Sequence, residues 1–152
     1  MDAKKSLFER VGGRAVLERV HKSFYDKLYA HPILKQFFAH KDQKEIEDQQ
    51  TDFMTSNMGG GKIFTGKTPE TCHRHLFITR EWLDLRNALL AESLKECGIP
   101  EDLAGKWMDI QKAFERAVEK KDIGECKKRF ATDEIIVAKT PGGAAGGNAA
   151  SR

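Results

Sequence analysis

No apolar run in the 152-residue chain approaches the ~20 residues that a membrane-spanning helix needs. The N-terminus, MDAKKSLFERV, has no apolar h-region of the kind a secretory signal carries. Neither a membrane partner nor export is therefore expected. Cysteine is scarce: Cys72, Cys97 and Cys126 are odd in number and far apart. That argues against a disulfide framework and for a reducing cytoplasm. Neither sign of charge dominates, since 26 Lys and Arg against 23 Asp and Glu leave +3, spread along the chain. The one dense basic cluster, Lys127-Lys128-Arg129, reads as solvated surface, so no nucleic-acid partner is expected. Strand-like alternation is nearly missing as well.

What the chain does have is helical periodicity. Leu7 and Phe8 open a short segment that stops at Gly12-Gly13. A longer helix is expected from about Ala15 to Tyr29, with Val16, Leu17, Val20, Phe24 and Leu28 at helical spacing. Pro32 ends it, and residues 33–38 form a short helical turn. Glu45 to Met58 reads as the next helix, stopped by Gly59-Gly60-Gly61, because three glycines lose much backbone entropy on ordering. Thr68 is then the expected N-cap of a short helix with Pro69 at its first position, ending near Leu76. Thr79 caps a helix to about Cys97, and Pro100-Glu101 start a last one to about Lys121. The folded domain is therefore expected over residues 1–123, all-α. A C-terminal extension covers 124–152, and its Gly/Ala-rich end, 140–152, holds no bulky apolar residue and is expected to be disordered.

Between Gln49 and Thr79 the pattern carries polar groups in places that invite chemistry. On the helix from Glu45, residues Ile46, Gln50, Phe53, Met54 and Asn57 share one face, at offsets 0, 4, 7, 8 and 11. Gln50 falls in the middle of that face, and Gln49 sits at its margin. A buried glutamine without partners costs about 1–3 kcal/mol, so Gln50 either bonds to backbone or serves a bound polar ligand. Periodicity alone favours the former. Tyr25, one step round from Phe24, reads as a core aromatic or as a phenol donor in the same pocket. His73 and His75, two apart, point to different sides of a helix. With Cys72 they match no common zinc spacing. What singles out His73 is its setting, a short capped helix after a glycine-containing break. A histidine so placed, facing two glutamines and a tyrosine, is one way a helical protein holds a haem iron.

Taken in order, these residues resemble a family. LFERVGG near the start, Phe24-Tyr25, Phe37-Phe38, QQTDF at 49–53, the glycine stop, FTG at 64–66, HRHLFIT at 73–79 and GIP at 98–100 together look like a truncated haemoglobin of group I, a two-over-two globin. The likeness spans about Leu7 to Val118. It implies a two-over-two helical sandwich around haem, here haem b, since no C-x-x-C-H motif occurs. It implies His73 as proximal iron ligand. On the distal side it implies Tyr25 as donor to bound oxygen, Gln50 in support, and Gln49 at a position that reaches the iron in some members. Phe24, Phe38, Ile46, Phe53, Met54, Phe64 and Leu83 would pack the pocket. Ile46 stands where ordinary globins carry a distal histidine, so no histidine gate is expected.

The function so implied is binding of diatomic gases (oxygen, nitric oxide and carbon monoxide). Slow oxygen release is expected, and oxygen-dependent conversion of nitric oxide to nitrate is a possible activity, with electrons from a separate reductase. The chain is expected to be a monomer or weak dimer. Two positions depart from the family. Arg86 lies on a face with Trp82, Leu83, Leu89, Leu90 and Leu94 where an apolar residue is usual, and must snorkel, pair with a haem propionate or enter the distal side. Trp107 replaces a smaller residue at a position that lines the ligand tunnel in some members, which counts against fast tunnel-fed nitric oxide chemistry. The alternatives are a haem-based gas or redox sensor or interaction module, and a haem-free helical scaffold.

Overall fold

The computed structural model describes residues 5–64, 66 and 68–139. Helix α1, Leu7–Val11, is short but closed at both ends. The Ser6 hydroxyl accepts from the Glu9 N–H, and the Glu9 carboxylate accepts from the Ser6 N–H. Gly12, at φ +117°, then turns the chain; a Cβ there would meet Val16 Cγ2 at 2.6 Å. Helix α2, Arg14–Ala30, buries Leu17, Val20, His21, Phe24, Tyr25 and Leu28 on one face. A 3-10 turn at Leu34–Phe38 leads to α3, Gln43–Asn57, which starts earlier than expected because Asp42 accepts from the Glu45 N–H as N-cap. Helix α4 is Pro69–His73, α5 Arg80–Glu96, α6 Glu101–Ala113 and α7 Glu115–Val118.

Helix α2 packs on α3 and α5, and α5 packs on α6. This is the expected all-α, two-over-two arrangement, with no strand among the described residues. The core between the layers is closed by Trp107, Leu17, Val20, Met54 and Leu83, all fully buried, with Phe24, Leu90 and Leu94 nearly so.

Four expectations need correction. On α3 the buried stripe is Glu47, Thr51, Met54 and Thr55; Asn57 is exposed and donates to the Phe53 carbonyl. Thr51 faces α2, where its hydroxyl meets His21 Nδ1 at 2.8 Å, so the helix is rotated from the face read in sequence. Helix α4 ends at His73, not near Leu76, because Leu76 pairs with Ile136 in an isolated parallel bridge. Thr79 is the N-cap residue of α5 but makes no side-chain capping bond. The last helix does not run to Lys121. It breaks at Phe114 (φ −99°, ψ 3°), whose ring packs on Phe53, and the break turns Glu115 inward.

From residue 124 the chain runs back over the α4–α5 connection. The Lys127 N–H donates to Arg74, that of Ile136 to His75, and that of Phe77 to Ile136, all to carbonyls. The Gln36 amide exchanges bonds with the backbone of Lys139. Residues 140–152, with the disorder expected there, lie outside the described residues.

Candidate haem cavity

A cavity of about 590 Å³ opens between α2, α3, α4 and α6, a size usual for a cofactor site. Its walls are largely aromatic and aliphatic: Phe24, Leu28, Phe37, Phe38, Ile46, Phe53, Phe64, Phe114 and Val118. The rings brace one another, with Tyr25 edge-on to Phe38 (5.9 Å) and Phe53 edge-on to both Phe64 (5.2 Å) and Phe114 (4.9 Å). A second depression of about 730 Å³ lies outside α2 and α3, but Glu18, Lys22, Asp26, Lys27, Lys44 and Asp48 line it, a charged face of mixed sign.

His73 reaches the cavity from the last turn of α4. Thr68 caps that helix at the Thr71 N–H and Pro69 opens it, so five residues suffice to aim the ring. The ring Nδ1 lies 2.7 Å from the Pro69 carbonyl oxygen. A carbonyl only accepts, so Nδ1 carries the proton and Nε2 keeps its lone pair. Burial pushes the His73 pKa down to about 4, which holds the ring neutral. A neutral, oriented imidazole at an apolar slot fits the proximal side of a haem.

The residues expected on the distal side line the same cavity, but among the described residues no hydrogen bond joins them to one another. Tyr25 is buried and lines it, and burial raises its pKa, so the phenol stays protonated as a donor. Gln50 and Gln49 line it from α3. Among the described residues Gln50 donates to Gln111 Oε1 at 3.4 Å, and no hydrogen bond joins it to Tyr25. Of the expected packing set, Phe24, Phe38, Ile46, Phe53 and Phe64 line the cavity, whereas Met54 and Leu83 do not and are wholly buried in the core instead. Met54 shares the helix face of Thr51, one turn on, and so faces α2.

Arg86 enters the cavity lining from α5. Its guanidinium donates to Glu115 Oε2 at 3.3 Å and to Asn87 Oδ1 at 3.0 Å, while its buried Nε has no partner among the described residues. Glu115 also accepts from Arg80 and from Asn87. Trp107 is wholly buried, edge-on to His21 at 5.7 Å, and does not line the cavity.

Sequence reasoning missed several lining residues. Gln111 and Phe114 follow Trp107 at offsets of 4 and 7, so the α6 stripe did carry a signal for them. Lys41 and Arg129 did not, for they arrive on loops. Behind the lining, Lys120 gave no sequence signal either; its ammonium donates to the carbonyls of His73 (2.9 Å), Leu76 (3.3 Å) and Val118 (3.0 Å) and so ties the end of α4 to the end of α7.

The bacterial-like globin family model matches residues 6–120. The group 1 truncated haemoglobin of Tetrahymena thermophila is 28% identical over 106 residues, 70% of this chain and 88% of that one. The crystal structure of the Tetrahymena pyriformis truncated haemoglobin in its Fe(III) form aligns with a TM-score of 0.69 at 26% identity, covering 77% of this chain and all of that one. The Synechococcus 2/2 haemoglobin, a cyanomet structure with covalently attached haem, aligns at 0.65 with 28% identity over 70% of this chain and 89% of that one. Haem is the cofactor of these proteins, and the cavity fits it. The chain belongs to the bacterial-like globins and is a truncated haemoglobin most like group 1.

Proposed function

We propose that the chain is a cytoplasmic haem b protein that binds diatomic gases, with His73 as the proximal ligand. The observation that carries this is the Nδ1 contact to the Pro69 carbonyl, which leaves Nε2 as a lone-pair donor in a cavity with aromatic walls. When bound there, haem supplies the iron that takes oxygen, nitric oxide or carbon monoxide. The rest is the work of the chain's own side chains. Tyr25 donates its phenol proton toward a bound ligand, and the aromatic walls exclude water, which strengthens that bond. Gln50, held by Gln111, acts at the edge of this donor set, and Gln49 stays at the exposed margin. Conversion of nitric oxide to nitrate is a further activity that follows from oxygen and nitric oxide binding, with electrons from a separate reductase and the chain acting as a monomer or weak dimer.

The test is the visible spectrum of the haem-supplemented protein in ferric, ferrous and carbon-monoxide-bound states, for the parent and for His73→Ala. A histidine-ligated spectrum in the parent that is lost in the variant supports the reading. A spectrum indifferent to His73, or no haem uptake, overturns it. With haem in place, Tyr25→Phe is expected to speed oxygen release by on the order of tenfold, the worth of one hydrogen bond to a charged acceptor.

A further inference from the structure

Lys120 stands at the end of the family match, and it is buried behind the proximal helix, 7% exposed. Lysine is almost never so buried unless a carboxylate stands against it. Here three carbonyl oxygens surround the nitrogen instead, those of His73 at 2.9 Å, Val118 at 3.0 Å and Leu76 at 3.3 Å. The carboxylates within electrostatic range, Glu70 and Glu125, are exposed, and neither pairs with Lys120 among the described residues; Glu70 is taken by Arg74 at 2.8 Å. Three acceptors suit the three N–H groups of an ammonium, whereas a neutral amine has only two to give. The main chain holds the group in place, since the Lys120 N–H donates to the Ile78 carbonyl at 2.8 Å. A fixed positive charge therefore sits on the carbonyl of the residue whose ring faces the cavity, within electrostatic range of that ring. Arg86 is in range of the ring too, but Glu115 stands against it at 3.3 Å.

We infer that Lys120 tunes the reduction potential of the cofactor, its ammonium behind the proximal ligand holding the iron toward the ferrous state. The inference rests on the haem reading above. One electron from an external donor turns ferric iron to ferrous and removes one positive charge from the site. A fixed cation nearby repels the ferric state more than the ferrous one, and with little water around it the repulsion is poorly screened. Lys120 does not line the cavity, so it touches neither cofactor nor gas. It is a positioning residue, which acts through the His73 backbone and through space. The role fits gas binding, because ferrous iron is the form that takes oxygen.

The experiment is a spectroelectrochemical redox titration of the haem-loaded full chain. Parent, Lys120→Met, Lys120→Gln and Lys120→Arg are compared, with Lys121→Met as a control that removes an exposed charge one residue on. A histidine-ligated ferrous spectrum in each variant shows that it is folded and that His73 still holds the iron. Lys120→Met and Lys120→Gln are expected to lower the ferrous-to-ferric ratio at a fixed potential by on the order of tenfold, a midpoint about 59 mV lower. Lys120→Arg, which keeps the charge, should stay within about twofold of the parent, and so should Lys121→Met, whose charge water screens. Glutamine keeps a donor without the charge. A parental midpoint in Lys120→Gln beside a lowered one in Lys120→Met would assign the effect to the hydrogen bond and overturn the inference. Midpoints indifferent to Lys120, or a shift as large in Lys121→Met, overturn it as well and leave the haem reading intact. A parent that takes up no haem overturns the haem reading and this inference with it.

Discussion

His21 shows what a single side chain can contribute away from the haem cavity. It is 1% exposed, and its Nδ1 meets the Thr51 hydroxyl at 2.8 Å while its Nε2 has no partner among the described residues. Burial pushes its pKa from 6.5 down to about 3. The sign follows from proton binding. The folded state resists protonation that the unfolded state accepts below 6.5, so stability is full above that pH and is lost as pH falls toward 3. Between pH 7 and pH 5 the loss from this residue is expected to be roughly 2 kcal/mol. Denaturant unfolding of the parent and of His21→Leu at the two pH values checks this. The variant should lose less stability on acidification, even where its stability at pH 7 is lower. Equal losses would show that His21 does not carry the effect.

At the scale of elements, the break between α6 and α7 does the most. Continuing the helix past Phe114 would carry Phe114 off Phe53 and swing Glu115 out of reach of Arg80, Arg86 and Asn87. Glu115→Ala leaves the Arg86 charge without its carboxylate in a mostly buried site, and a stability loss of about 3 kcal/mol is expected. Chemical denaturation measures it, and a loss below ~1 kcal/mol would mean that the carboxylate is dispensable. The α4–α7 tie is of the same kind. Lys120→Met removes the donor to three carbonyls and is expected to cost about 1–3 kcal/mol. If that tie also fixes the α4 terminus, the variant should release haem faster, which transfer of haem to an acceptor globin would read.

For the whole molecule, the run from residue 124 to 139 closes the fold over the α4–α5 connection. It supplies the Ile136 bridge and the Gln36–Lys139 pair, contacts between distant parts of the chain. A chain shortened to end at residue 123 is expected to melt at a temperature lower by roughly 5 °C, consistent with a loss of one to two kcal/mol. Calorimetry of the two lengths decides it; an unchanged melting temperature would make the return a passive covering.

Much of this fold was legible because its causes are local. Glycine stops, Pro69 at a helix start and apolar spacing along α2 act within a few residues, and they placed seven helical segments in the right order, with His73 on the short one. The face of α3 was not legible, since period 3.6 admits neighbouring faces and only the His21–Thr51 contact selects one. Nor were the partners of the polar groups. Gln50 bonds Gln111 61 residues away, and Arg86 meets Glu115 29 residues on. The sequence by itself determined an all-α chain with an oriented histidine on a short capped helix, because propensity and capping are short-range. Only the tertiary structure decided that Gln50 leans on α6, and that Arg86 shares its carboxylate and faces the cavity. Those outcomes depend on how helices distant in sequence pack and on where a buried charge finds its compensation.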